Sequence, residues 1–461
     1  MPSASRPAAP TPKPPDSRVV GGLVRHTLVF DVGKTNKKVL VYDERLEIVH
    51  EANARMDETV DEDGYPCEDL AVLTAWMDVH LANLRARFPI THLNVSTYGA
   101  SLVYVDEAGR PVTPLYNYLK PIETGFLRKL YRAHGGPQHF HAVTGSPPLG
   151  ALNSGFQLAW LREYRREAFA KTRHALHLPN YLSYRLTGRA VADYGSIGCH
   201  TALWDFGRKR YHAWLHDGGE DALATRLPPA VSNDATAPGT GVAAGLTVGT
   251  GIHDSSAALL PYLRDAREPF VLLSTGTWAI AFNPDNQSPL TTYELSRDCL
   301  NFLRADGRPV KASRLFLGRE HDLQCEALAT HYDVDPDTYK MAVYRADHDP
   351  IGQTRHFRWV AMASPFEDAP AATAYVDADY ALAYHRLVRE LVDAQVEQLR
   401  LIVEDDDLRL LYVDGGFARS EVFLSALRRS YPRARVEPAR HAQGTALGAA
   451  LVLRSSSPPA P

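Results

Sequence analysis

Cysteine is scarce in this chain: Cys67, Cys199, Cys299 and Cys325 are all there is in 461 residues. No two stand in a CxxC pair, which argues against a zinc ribbon or a disulfide framework. The four read as small buried hydrophobes in a reducing cytosol, and a cytoplasmic location is expected. A basic excess is also missing. Fifty Lys and Arg face 54 Asp and Glu, for a net charge of −4. That balance does not favour nucleic acid or an anionic membrane surface as a partner. No window approaches the ~18 apolar residues of a membrane helix. The N-terminal MPSASRPAAPTPKPPDSR has no apolar core of the kind a secretory signal needs. It reads as a disordered tail over residues 1–24, and SSSPPAP closes a second tail over 454–461. Repeats of 20–50 residues are absent, which removes solenoids. The phosphate-loop pattern GxxxxGK[ST] is absent too.

What remains is an ordinary globular composition, 45% hydrophobic and 23% charged, with a length that suggests roughly two or three domains. Short apolar runs at 27–33, 37–43 and 46–54 suggest a β-meander. Residues 68–87 repeat apolar positions at helical spacing. Residues 92–99 and 101–107 read as strands. The stretch from 155 to 186 looks helical, broken at Pro179 and ended at Gly188. A second unit is expected from residue 245: strand, turn and helix over 245–260, two strands over 268–282, a long helix over 380–403, and strand, glycine turn and helix over 408–427. Residues 441–453 form a small-residue helix suited to close backbone packing. The expected domains are 25–244 and 245–453, two similar α/β units facing each other across a cleft.

Each half opens with a strand, a tight turn holding Gly and Thr, and another strand. In the first, Asp31 ends the strand and Gly33-Lys34-Thr35-Asn36 makes the turn. The glycine brings backbone N–H groups close to an anion, the side chains add donors and a charge, and Asp31 can hold a hydrated Mg²⁺. Ser274-Thr275-Gly276-Thr277-Trp278 offers the same donors from the other half. The two turns can grip a triphosphate from both sides. An ordinary polar hairpin accounts for either alone, but less easily for both. Asp414 to Ser420 (DGGFARS) follows an apolar strand and opens a helix, so Gly415 and Gly416 can lie against a nucleotide. In Gly251-Ile252-His253-Asp254, the aspartate is either a helix cap or a general base that takes a proton from an attacking hydroxyl.

In this order, DVGKTNKK, GIHDSSAA, LLSTGTW and DGGFARS resemble the FGGY family of carbohydrate kinases, from about Arg25 to Leu453. NYLSYRLTGRAVADYGSIGCHTALWD at 180–205 resembles that family's linking segment. Within it, HDSSAA, LLSTGTWAI and STYGASLVYVDEAGRPV (96–112) are most similar to rhamnulokinases. The resemblance implies an actin/hexokinase-like (ribonuclease H-like) two-domain α/β ATPase fold with a nucleotide cleft between the domains. It implies ATP and Mg²⁺ as cofactors and a small sugar as substrate, with no nucleic acid or membrane partner, in a monomer or homodimer. Asp254 is then the catalytic base and Asp31 the Mg²⁺ ligand. Gly33, Lys34, Thr35, Asn36, Gly276 and Thr277 lie at the β- and γ-phosphates, with Lys38 as the basic residue after the first turn. Gly415, Gly416 and Ser420 lie by the α-phosphate and adenosine. Tyr98, Gly99, Ala100, Tyr116 and His253 join Asp254 around the sugar. Three departures stand out: Ser101 where rhamnulokinases have Asp, Tyr116-x-Tyr118-x-Lys120 where the family often has Trp-x-Asp-x-Arg, and Asp414 in place of glycine. The first two fall where the sugar is expected and leave its identity open: a ketose phosphorylated at C1, such as L-rhamnulose or L-fuculose, another pentulose, or a polyol. A non-catalytic nucleotide binder on the same fold is the alternative from another class.

Overall fold

The computed structural model describes residues 25–348, 354–363, 370–439, 441 and 443–454. The tails expected at 1–24 and 454–461 lie outside the described residues, except Arg454, which ends a helix.

Two mixed sheets organise the chain. The first holds β1 (His26–Val32), β2 (Lys37–Tyr42), β3 (Ile48–Ala54), β4 (Ile90–Thr97), β5 (Thr236–Pro238), β6 (Thr247–Gly249) and β7 (Ile252–His253). Its order is β5-β6-β4-β1-β2-β3, with β7 also paired to β4. The second holds β8 (Val271–Thr275), β9 (Ala279–Asn283), β10 (Cys299–Leu303), β11 (Pro309–Leu315), β12 (Leu410–Gly415) and β13 (Arg435–Pro438), in the order β10-β11-β9-β8-β12-β13. In both, the first strand pairs antiparallel with its successor and parallel with a strand from far along the chain. The similarity of the two sequence halves is therefore a similarity of topology. Leu28, Val29, Phe30 and Val32 are all fully buried. β1 is covered on both faces, which is why it reads as a continuous apolar run rather than an alternating one.

Helices cover the sheets: α1 (Leu70–Arg85), α2 (Ser154–Tyr164), α3 (Leu178–Thr187), α4 (Asp254–Asp265), α5 (Leu317–Tyr332), α6 (Tyr380–Arg400), α7 (Glu421–Ser430) and α8 (Gly444–Arg454). Asp69 caps α1 by accepting from the N–H groups of Ala71 and Val72. The region expected to be helical over 155–186 is broken earlier. After α2 and a short helix, His174–His177 is a strand antiparallel to Leu102–Val105. Pro179 starts α3 instead of breaking it, because a first-turn N–H has no helical partner to lose.

The expected boundary between residues 244 and 245 cuts through the first sheet, since β6 and β7 pair with β4. The last helix also returns to this sheet. α8 packs with α4 on β1 and β4, and Ala446, Ala449 and Ala450 share a core with Val29, Leu40 and Ala257. A Cβ on Gly448 would stand 1.9 Å from the Ala257 carbonyl oxygen, so the expected close backbone approach is real. It fixes the helix whose first residue is Asp254.

Candidate active site

The site begins at the end of β4. Asp31 pairs in register with Ser96 on one side of that strand, and Ile252 pairs with Ser96 on the other. Asp31 and the Ile252–His253 strand therefore flank β4, about 10 Å apart at two strand spacings. Asp254 follows directly as the first residue of α4. Lys38 stands opposite Asp31 on β2.

The two carboxylates sit in different environments. Burial, then the negative charge of Asp254, pushes Asp31 up to about 7, and Lys38 and Ser96 only partly offset this. Burial also works against the charge on Asp254, but His253 and the Ser255 donors outweigh it and hold Asp254 below the usual carboxylate value. A buried aspartate that holds on to its proton, with a second carboxylate adding to the effect of burial, is a place where a cation is favoured. Among the described residues no three His, Cys, Asp or Glu side chains converge as a metal cage. One carboxylate with room for water and phosphate suits Mg²⁺, which keeps much of its hydration. Asp31 fits that ion.

Both Gly-Thr turns are closed by the glycine N–H, the first onto the carbonyl three residues on and the second onto the carbonyl two residues on. Gly33 N–H donates to Asn36 O at 2.9 Å, and Gly276 N–H donates to Trp278 O at 2.9 Å. The N–H groups of Lys34, Thr35 and Thr277 have no partner among the described residues and remain for an anion. Lys34 does not stand free beside them: it pairs with Glu58 at 2.5 Å and lies over the Tyr98 ring. Asn36 accepts from Arg55, Thr35 is exposed, and Lys38 donates to Gln443 at 2.5 Å.

The two glycines of DGGF divide their work. Gly415 has φ +85°, and a Cβ there would stand 1.7 Å from the Thr275 carbonyl oxygen, so it serves the close pairing of β8 with β12. Gly416 would meet nothing within 4 Å and is the glycine open to a nucleotide. Ser420 caps α7 through Phe423 N–H.

Of the residues expected around the sugar, Tyr98, Gly99, Ala100, His253 and Asp254 come together. A Cβ on Gly99 would stand 2.7 Å from His253 Nε2. Ala100 is left-handed, with φ +66°, and its carbonyl accepts from buried Gln157 at 2.5 Å. His253 Nε2 lies 3.0 Å from Asp254 Oδ1 and 3.4 Å from Cys199 Sγ. Burial opposes charge on the ring, yet Cys199 and Asp254 together raise its pKa well above the usual value. Tyr116 is not among this group. It is buried on the Trp160 ring with its hydroxyl on Glu62. Its neighbour two residues on, Tyr118, contacts the Tyr98 ring and feels the charge of Asp254. Lys120 is bound by Asp61 at 2.5 Å and Asp63 at 2.6 Å.

Several residues that hold the site carry no motif. Lys37 is buried, pairs with Glu68 at 2.6 Å and donates to Lys34 O, while Tyr98 donates to the same Glu68. Asp193 is fully buried and accepts from Asn180, Asn233 and Ser196 N–H. Asn180 also donates to Thr250 O, so this group grips the loop before His253. Arg314 and Glu320, which from sequence pass for surface charges, are both buried. Arg314 pairs with Asp298, and Glu320 accepts from the N–H groups of Val360, Ala361 and Met362.

Known proteins agree with this architecture. Residues 26–261 match the N-terminal domain of the FGGY family of carbohydrate kinases, and residues 267–460 match the carbohydrate kinase FGGY C-terminal domain. A rhamnulokinase of Halalkalibacterium halodurans is 21% identical over 190 residues, which spans 40% of this chain and only 40% of that relative. A carbohydrate kinase of Novosphingobium aromaticivorans superposes with a TM-score of 0.75 at 26% identity, covering 93% of both chains. The ligand-bound xylulose kinase of Lactobacillus acidophilus shares the fold at a TM-score of 0.75 and 15% identity, over 94% of this chain and 89% of that one. The glycerol kinase of Plasmodium falciparum with ADP does so at 0.73 and 16%, over 93% and 89%.

Proposed function

This chain belongs to the FGGY family of carbohydrate kinases, and from that premise we propose that it transfers the γ-phosphoryl group of ATP to the C1 hydroxyl of a small ketose such as L-rhamnulose or L-fuculose. The observation that carries the chemistry is the unequal pair of carboxylates, Asp31 raised to about 7 and Asp254 held low. An ionised Asp254 accepts the proton of the attacking hydroxyl as the new O–P bond forms and the bond to the β-phosphate oxygen breaks, releasing ADP. The transition state is loose, so the base acts late and need not be strong. Mg²⁺, when bound, neutralises charge on the phosphates. Asp31 orients that ion, the free N–H groups of Lys34, Thr35 and Thr277 bind phosphate oxygens, and Gly416 leaves room for the nucleotide. The choice of ketose rests on the likeness of HDSSAA, LLSTGTWAI and residues 96–112 to rhamnulokinases, and on the rhamnulokinase relative.

The test is the product. ³¹P–¹H NMR of reactions with L-rhamnulose and L-fuculose is expected to show phosphate coupled to the two protons of a primary carbon. Turnover of a polyol or an aldose with both ketoses inert would overturn the substrate reading.

A further inference from the structure

We infer that His253 is a positioning residue for Asp254, and that Phe302 couples the second sheet to it. The inference rests on the reading of Asp254 as the base. Asp254 Oδ1 gathers three donors: Ser255 N–H at 2.6 Å, the Ser255 hydroxyl at 3.2 Å and His253 Nε2 at 3.0 Å. Oδ2 has no partner among the described residues. With one oxygen tied, the other is held in a fixed direction, and the attacking hydroxyl meets a base that need not search for its geometry.

The imidazole is itself held at both nitrogen edges and by a neighbouring ring. Cys199 Sγ lies 3.4 Å from Nε2, and Ser256 Oγ lies 3.5 Å from Nδ1. The bare backbone of Gly99 closes the Nε2 edge. Phe302 lies alongside the ring in an offset, near-parallel arrangement, with centroids 6.1 Å apart and planes within 12°. Phe302 belongs to β10 of the second sheet, whereas His253 belongs to β7 of the first. The next residue, Leu303, fills the space where Gly198 lacks a side chain; a Cβ there would stand 2.5 Å from it. The end of β10 is thus seated against both Gly198, through Leu303, and the imidazole, through Phe302. A shift of the second sheet carries Phe302 away from the ring and loosens the imidazole donor on Asp254 Oδ1. The base is set only when the two sheets are correctly placed, which ties phosphoryl transfer to domain placement and protects ATP from water.

Two readouts test this. The first needs no sugar. Imidazole ¹⁵N NMR follows His253, identified as the resonance missing from H253Q, in wild type and in D254N. Loss of the carboxylate partner is expected to lower the ring's titration midpoint by about one pH unit or more. An unchanged midpoint overturns the inference. The second is kinetic, with the sugar the wild type turns over fastest. H253A and F302A are expected to lose about 10²-fold in kcat with KM for the sugar within about twofold. H253Q, whose amide still donates to Oδ1, is expected to recover most of that loss. A loss in KM instead of kcat, or H253Q as poor as H253A, would make the ring a sugar contact and overturn the positioning role. A wild type idle on every sugar, with the NMR shift present, would count against the proposed function while supporting the His253–Asp254 pair.

Discussion

Asp31 on β1 and Asp254 at the start of α4 interact electrostatically across the end of β4, and only one of them is easily ionised. In the folded, metal-free protein Asp31 keeps its proton up to about pH 7, against 3.8 in the unfolded chain. The folded state therefore binds more protons between these values, and this group's contribution to stability falls as pH rises through that window. Mg²⁺ takes only the ionised form. The rise in melting temperature produced by MgADP should therefore grow between pH 6 and pH 8, and D31N should remove that growth. A Mg²⁺ effect that is flat with pH in the wild type would contradict the assignment. Beneath the first turn, Lys37 and Glu68 form a buried pair, 2% and 4% exposed. K37M strands the Glu68 carboxylate and should cost about 3–5 kcal/mol in urea denaturation, with K37M/E68Q recovering much of it. Equal stability of K37M and wild type would show that the pair is not formed. Asp31 and Asp254 were legible in the sequence because each stands beside a glycine turn, one toward the end of a strand and the other at the start of a helix. Lys37, Glu68 and Asp193 were not, because a charged residue at a strand or loop looks exposed until its partner, 31 or more residues away for Lys37, is brought against it. Tyr116 and Tyr118 share one strand-like parity, so spacing could not decide which of them reaches the site.

The elements that place the site are tied by backbone contact. α8 presses Gly448 onto the Ala257 carbonyl of α4, so any side chain at 448 pushes on the helix that begins at Asp254. G448A should destabilise the protein by about 1–3 kcal/mol and lower kcat. G444A, where the nearest atom to a new Cβ is 3.8 Å away, should be close to neutral in the same thermal melts. Equal melts for the two variants would contradict the contact. The small-residue character of 441–453 announced close packing, but not its partner. That partner, Ala257, lies far back along the chain, and no local pattern encodes it. The strand at His174–His177 was hidden for the same reason, since it exists by pairing with Leu102–Val105. The strand–turn–strand units were readable because their apolar runs and glycine turns are local.

At the scale of the molecule, two sheets of like topology each offer a central strand that ends in a Gly-Thr turn. The first sheet takes more of the chain than expected, drawing in β6, β7 and both α4 and α8, so the proposed base and the Mg²⁺ ligand share one rigid frame. The second sheet brings the other turn, Gly416 and the Phe302 stack. Among the described residues no helix is long and apolar enough to cross a membrane. Such an arrangement predicts a kinase that is slow without sugar and fast with the right one. ADP release from MgATP, with a panel of L- and D-ketoses, aldoses and polyols, reads this directly in wild type and D254N. The account predicts strong stimulation of the wild type by one sugar, a ketose, and a kcat about 10²–10⁴ lower in D254N with ATP affinity unchanged. Sugar-independent ADP release in the wild type, or near wild-type turnover in D254N, would contradict it.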